Sequence, residues 1–211
     1  MSTGAKTQKL FCGLISFLFL AGGCHLPSQR PPVQTKSYLL SISLPQTPPS
    51  AKPAYCIAVR PCQSAPEFAS KSLVYRVNAV EYQKDYYNQL LASPCENITQ
   101  ALIAWITQLQ WTPCIPGTNP KDFYTIIPFL EEFYGDFRDP SNPFAVVKMQ
   151  LSLTFTDSSC NCTRTKLTRT YEKKILLSKS SVNELINAYS QAVEEILAAF
   201  QKEMEHVFSE E

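Results

Sequence analysis

The chain has 211 residues, a formal net charge of +1, 16 prolines, eight cysteines, six glycines and two histidines. That near-neutral balance supplies no basic field for a nucleic-acid partner. Gly4, Gly13, Gly22 and Gly23 fall in the leading segment, and only Gly117 and Gly135 follow it, too scattered for a phosphate-cradling or dinucleotide-binding loop.

Lys6 and Lys9 precede an apolar run from Leu10 to Ala21 that closes on Gly22, Gly23 and Cys24. The run falls well short of the roughly 20 apolar residues a spanning helix needs, and its small closing residues suit a peptidase, so 1–23 reads as a signal peptide. Leu-Ala-Gly-Gly-Cys at 20–24 resembles a bacterial lipobox, in which the cysteine is acylated before cleavage. Cys24 would then be the first mature residue, lipidated, fastening the chain to a membrane without spanning it. The bland alternative is an ordinary secretory signal with an incidental cysteine. Residues 24–36 are polar and proline-rich and read as an extended tether.

From Ser37 the pattern changes. Tyr38, Leu40, Ile42 and Leu44 alternate with polar neighbours, the two-residue period of a half-buried strand. Shorter strands are predicted at Tyr55–Val59, stopped by Pro61, and at Leu73–Val80, with a turn-rich bridge between them. Ser93-Pro94-Cys95-Glu96 is a capping box with proline at the first helical position. The helix it opens carries Cys95, Ile98, Leu102, Trp105, Ile106 and Leu109 on one face, where Trp105 reads as core rather than ligand-binding.

Phe123–Tyr134 reads as a central strand, with Pro128 pointing to a bulge or an edge. Val147–Thr156 alternates cleanly, and Arg164–Leu177 returns as its hairpin partner. The cluster Arg164, Lys166, Arg169, Lys173 and Lys174 reads as a solvated strand face, or as one meeting an acidic partner. Ser181-Val-Asn-Glu184 opens a long amphipathic helix. Its acidic end opposes the macrodipole and predicts fraying after about Met204.

These elements predict an α/β or α+β fold: a single domain over 37–205, with a mixed sheet of about five to six strands and two main helices, followed by a frayed tail at 206–211. Setting aside Cys12 in the signal and Cys24, the cysteines are Cys56, Cys62, Cys95, Cys114, Cys160 and Cys162. An exported compartment permits disulfides, and sequence leaves their pairing open. Cys160 and Cys162 lack the further ligands that a zinc site needs. His25 adjoins the anchor and His206 sits near the end of the chain, so no serine or cysteine gains an evident imidazole base. Glu131 and Glu132 would point to opposite faces of a strand, which makes them poor partners in carboxylate catalysis. The expectation is a protein that is not an enzyme and carries no cofactor or metal beyond the acyl lipid on Cys24.

The signal with Cys24, the strand at Tyr38, Ile57 with Val59, the strand Leu73-Val74-Tyr75-Arg76, the helix from Pro94, the hairpin and the closing helix come in an order similar to a known family. The chain resembles the ABC-type transport auxiliary lipoproteins of the paraquat-inducible protein C type. The resemblance implies a mixed sheet backed by helices and a non-catalytic accessory role in lipid transport. The implied partners are an MCE-domain protein with its ABC permease and ATPase. It also implies a periplasm-facing anchor, and His25 after Cys24 points to the outer membrane. A homo-oligomer is compatible with that role. Tyr75, Arg76, Tyr86 and Tyr87 are the candidate partner surface, since tyrosine and arginine are favoured at interface hot spots. The alternative is a structural envelope lipoprotein, disulfide-linked to its neighbours.

Overall fold

A computed structural model describes residues 34–46, 48–115 and 120–210. The expected signal, the lipidation site Cys24 and the tether up to Val33 lie outside the described residues. Among the described residues, eight strands and two α-helices form one mixed α+β unit.

Its centre is a long strand, β6 (Phe123–Asp136). Along one edge β6 pairs antiparallel with β7 (Phe144–Asp157), and β7 pairs antiparallel with β8 (Cys162–Leu176). Along the other edge three short strands follow one another, all parallel to β6: β2 (Cys56–Val59), β3 (Gln63–Ser64) and β4 (Ser72–Arg76). β5 (Tyr82–Leu90) pairs antiparallel with β4, and β1 (Lys36–Tyr38) closes the sheet parallel to β5.

Pro128 costs this arrangement no ladder bond. The carbonyls of Ile126 and Leu130 accept from Arg60 and Ala65 at 2.9 Å, so alternation turns Pro128 toward the same edge, opposite the break between β2 and β3. The bulge falls instead between Leu130 and Glu132. It brings both glutamates to bear on one lysine, contrary to the expectation of opposite faces: Glu131 pairs with Lys148 at 2.8 Å, and Glu132 stands in register with it. The Glu131 carboxylate, with Glu132 behind it, raises the Lys148 ammonium above its ordinary range.

Both helices lie on one face of the sheet. The second, α2 (Val182–Ser209), covers β6 to β8: Tyr189 stacks on Phe133 at 4.0 Å, Phe200 meets Tyr171, and Phe208 meets Tyr124. α1 (Pro94–Gln108) lies beside it, with Trp105 Nε1 donating to Gln201 Oε1 at 2.8 Å, and Trp105 is buried as expected. Gly135 sits where the start of α2 approaches the sheet, and a Cβ there would stand 2.6 Å from the Phe137 ring and 3.2 Å from Leu185. The opposite face of β6 leaves Ile127 and Phe129 exposed.

The α1 capping box is complete, since Glu96 N donates to Ser93 Oγ and Ser93 N donates to Glu96 Oε2 at 2.7 Å. Ser93→Ala is expected to cost about 1 kcal/mol in a urea melt. At α2 only half of the expected box forms: Glu184 N donates to Ser181 Oγ, but the Glu184 carboxylate turns to Ser178.

Three element boundaries expected from sequence also need correction. The strand read over Tyr38–Leu44 ends at Tyr38. Beyond it, residues 39–46 keep the alternating burial without strand pairing, because Ser41 N donates to Ser190 Oγ on α2 and Leu40, Ile42 and Leu44 pack on the core. The strand read over Leu73–Val80 stops at Arg76, where Asn78 Oδ1 accepts from Val80 N and Glu81 N and turns the chain into β5. The C-terminal helix does not fray at Met204 but runs to Ser209, anchored by Phe208 against Trp111 and Tyr124. Its acidic side meets the basic face of β8, through Lys173 with Glu195 at 2.9 Å and Arg169 with Glu203 at 3.1 Å.

Among the described residues two disulfides close, Cys56–Cys114 and Cys160–Cys162. Asp157, Cys160 and Cys162 bring ligand-type atoms within 4.8 Å of one another, but bonded sulfurs are not thiolates and do not suit a metal. No helix among the described residues is long and apolar enough to cross a membrane.

Candidate docking surface on the bulged hairpin

β5 was not legible as a strand, and it carries the most unusual local geometry in the sheet. Ser72 of β4 registers with Gln89, while Val74 registers with Lys84, so residues 85–88 stand against Leu73 alone. An excursion of this size in a ladder needs its own hydrogen-bond partners. Asp85 supplies them. Its Oδ1 accepts from Tyr87 N at 2.8 Å and Asn88 N at 2.9 Å, and its Oδ2 accepts from Asn88 Nδ2 at 2.9 Å. Tyr75 reaches across from β4, its hydroxyl donating to Asp85 Oδ2 at 2.7 Å. Tyr38 of β1 completes the set by donating to Asn88 Oδ1 at 3.1 Å.

Burial alone would raise the Asp85 carboxyl, but the Tyr75 hydroxyl and the Asn88 and Tyr87 donors outweigh it and hold the group below the usual carboxylate range. The Tyr75 hydroxyl moves the other way, pushed up by burial and then by its bond to Asp85. A carboxyl depressed in the folded state contributes stability above about pH 4, where the unfolded group is ionised, and loses it as pH falls through the folded value. Asp85→Asn is therefore expected to cost about 1 kcal/mol at pH 7, a figure already reduced for partial exposure. In urea melts the gap from the parent protein should close as pH falls through the lowered folded-state range of Asp85.

The bulge turns two consecutive aromatic side chains outward. Tyr86 and Tyr87 are 72% and 58% exposed and meet edge to face at 5.4 Å. Leu39 and Leu91 are exposed nearby in the pairing, Leu91 N donating to Tyr38 O.

Of the side chains singled out in the sequence, Tyr86 and Tyr87 are displayed, whereas Tyr75 is half-buried and supports the bulge from beneath. Arg76 is not available to a partner in the expected way. Its guanidinium lies over the rings of Tyr82 and Tyr134, at 5.5 and 6.0 Å, and donates to the carbonyls of Asn78 and Ala79. Burial pushes the neighbouring Tyr134 hydroxyl up to about 12 against the lowering effect of Arg76. The locking residues Asp85, Asn88 and Tyr38 escaped sequence reasoning. Asp85-Tyr86-Tyr87-Asn88 is an Asx-turn pattern in a stretch with no sustained hydrophobic period.

A concavity of about 690 Å³ opens beside the Cys56–Cys114 disulfide between Ile57, Ile103, Ile106 and Phe123. It is lined mainly by aliphatic side chains.

No family model matches this chain, and no curated protein matches it in sequence. Among solved structures the chain is similar to a Xanthomonas campestris protein assigned to the family DUF330, at 16% identity and TM-score 0.65, covering 78% of this chain and 92% of that one. It is also similar to a protein described as uncharacterized, at 14% identity and TM-score 0.64, covering 81% and 99%. A hypothetical protein of Chlamydia trachomatis aligns at 12% identity and TM-score 0.46, covering 72% and 96%. The first two likenesses are of fold, and they span nearly the whole of each solved chain.

Proposed function

We propose that this chain is a lipid-anchored, non-catalytic accessory protein of an envelope lipid-transport system. In this reading Cys24 carries the acyl chains in the outer membrane, the proline-rich segment after it is a tether, and the domain faces the periplasm. It docks there on an MCE-domain protein served by an ABC permease and ATPase. The family resemblance to ABC-type transport auxiliary lipoproteins and the fold shared with a DUF330 protein support this assignment.

The observation that carries the docking role is the bulge in β5. Three strands contribute polar side chains whose common effect is to hold Tyr86 and Tyr87 out into water. Exposing two aromatics costs hydration free energy, and a preorganised aromatic pair is what a recognition surface requires. The rival reading, a cross-linked structural lipoprotein, would have to draw on Cys62 and Cys95, because the other cysteines of the described residues are paired within the chain.

Intact-mass analysis of the chain isolated from membranes, run beside non-reducing gels, tests the assignment. A mature chain starting at acylated Cys24, without reducible ladders, agrees with it. A chain starting elsewhere, or one locked into disulfide-linked oligomers, contradicts it.

A further inference from the structure

Cys62 and Cys95 are the two unpaired cysteines among the described residues, and they belong to one constructed site. Cys62 lies in the link between β2 and β3. Its backbone N–H donates to Thr99 Oγ1 at 2.9 Å, and Thr99 Oγ1 donates in turn to the Cys95 carbonyl at 2.8 Å. This relay holds Cys62 against the first turn of α1, where Cys95 follows Pro94 directly. The Cys62 and Cys95 thiols lie near enough to shift each other's acidity, Ser64 of β3 acts on Cys95 as well, and Cys62 Sγ also donates to the Gln63 carbonyl at 3.3 Å.

The two sulfurs differ in kind. Cys95 stands at a helix N-terminus, where unsatisfied amides and the macrodipole favour negative charge. The Cys62 contact lowers its thiol, against burial, and Ser64 adds to the effect. The same contact, followed by burial, pushes Cys62 up. Both residues are half-buried, so a reagent can reach them. An asymmetric dithiol with one sulfur at a helix start is the arrangement that thiol–disulfide exchange exploits.

We propose that Cys62 and Cys95 form a redox-active pair, Cys95 attacking and Cys62 resolving, that closes to a further intrachain disulfide by exchange with a protein or small-molecule disulfide. The Cys95 thiolate attacks one sulfur of the donor, forming a mixed disulfide and releasing the donor's other sulfur as a thiolate. The Cys62 thiol then loses its proton and attacks Cys95 Sγ, expelling the second donor sulfur. The chain loses two electrons, the donor gains them, and the two thiol protons end on the donor's two sulfurs. Closure ties the β2–β3 link to the start of α1. It also leaves no described cysteine free to join chains together.

The test is peptide mapping of the purified full chain after equilibration in glutathione buffers and alkylation of the remaining thiols. Oxidised buffer is expected to yield a Cys62 peptide joined to a Cys95 peptide. Cys62→Ser is expected to accumulate the glutathione adduct on Cys95 at least about tenfold faster than Cys95→Ser accumulates it on Cys62. The pairing is overturned if both thiols of the parent chain stay alkylatable in oxidised buffer, or if either links to a second chain. The assignment of roles is overturned if the two variants trap glutathione equally. Mapping the parent chain involves no substitution and so stands even where a variant folds poorly. None of these readouts depends on the docking reading.

Discussion

Replacing Tyr86 and Tyr87 together by alanine is expected to weaken binding to the proposed MCE-domain partner by about 30-fold or more, the loss that follows when roughly 2 kcal/mol of hot-spot contact is removed. Both rings stand mostly in water and touch each other rather than the core. Stability should therefore change by no more than about 0.5 kcal/mol. Titration of the purified partner against the parent and double variant, with a thermal melt of each, separates the two effects. Tyr75→Phe is the informative companion. It removes the hydroxyl donated to Asp85 but leaves the displayed pair intact, so any loss of binding would come through the bulge's rigidity. Equal affinity for parent and double variant would remove this surface from the account.

The largest expected effect on folding belongs to Phe133→Ala. Phe133 is buried in β6 and stacks on Tyr189 at 4.0 Å, which fixes α2 against the middle of the sheet. Losing the ring should cost about 3–5 kcal/mol through lost transfer free energy and the cavity left behind. That is a large part of a typical domain's stability. Its partner makes the opposite prediction. Tyr189 is fully buried, and its hydroxyl has no hydrogen-bond partner among the described residues. Burial holds that hydroxyl well above its ordinary range, in the neutral form. Tyr189→Phe removes an unsatisfied polar atom and keeps the stack, so it should leave stability unchanged or raise it by about 1 kcal/mol. Unfolding free energies of the two variants from urea melts, measured beside the parent, should move in opposite directions or differ by at least about 3 kcal/mol.

The parts of the fold that were legible have one period sustained over many residues. β7 alternates over Val147–Thr156 and β8 returns beside it as the hairpin partner, α1 announces itself with a proline-bearing capping box, and α2 carries an unbroken apolar stripe. Alternation reports burial, however, and not pairing. Residues 39–46 alternate because Leu40, Ile42 and Leu44 face the core, yet Ser41 finds its partner in a helix hydroxyl. β3 covers only Gln63 and Ser64, too short to show any period. With the unexpected β5, it brings the sheet to eight strands among the described residues, more than the pattern suggested. β5 was hidden by its own function-like feature. The bulge at 85–88 breaks the period where Tyr86 and Tyr87 are turned out, so a strand that displays its residues reads as a loop. The end of α2 departs from the charge-based expectation for another reason: the burial of Phe208 against Trp111 and Tyr124 overrides the unfavourable charge near the helix terminus.

Within the candidate surface, the two tyrosines could be named from residue type alone, but their support could not. Asp85, Asn88 and Tyr38 act through contacts between β5, β4 and β1 that no local pattern encodes. Arg76 shows the converse. As a basic residue beside aromatics it resembled a hot spot, and it spends its guanidinium on the hairpin turn and two of its own rings. The cysteines divide similarly, since pairing across 58 residues of sequence, as in Cys56–Cys114, depends on β2 meeting the segment after α1.

The most direct measurement is recovery of the native chain from gently solubilised envelopes after brief cross-linking, with identification of what accompanies it. An MCE-domain protein together with a permease and an ATPase, captured by the parent chain and depleted by the Tyr86 and Tyr87 double variant, is the predicted result. Capture of none of these proteins, with the chain recovered only as copies of itself joined by reducible bonds, would contradict it.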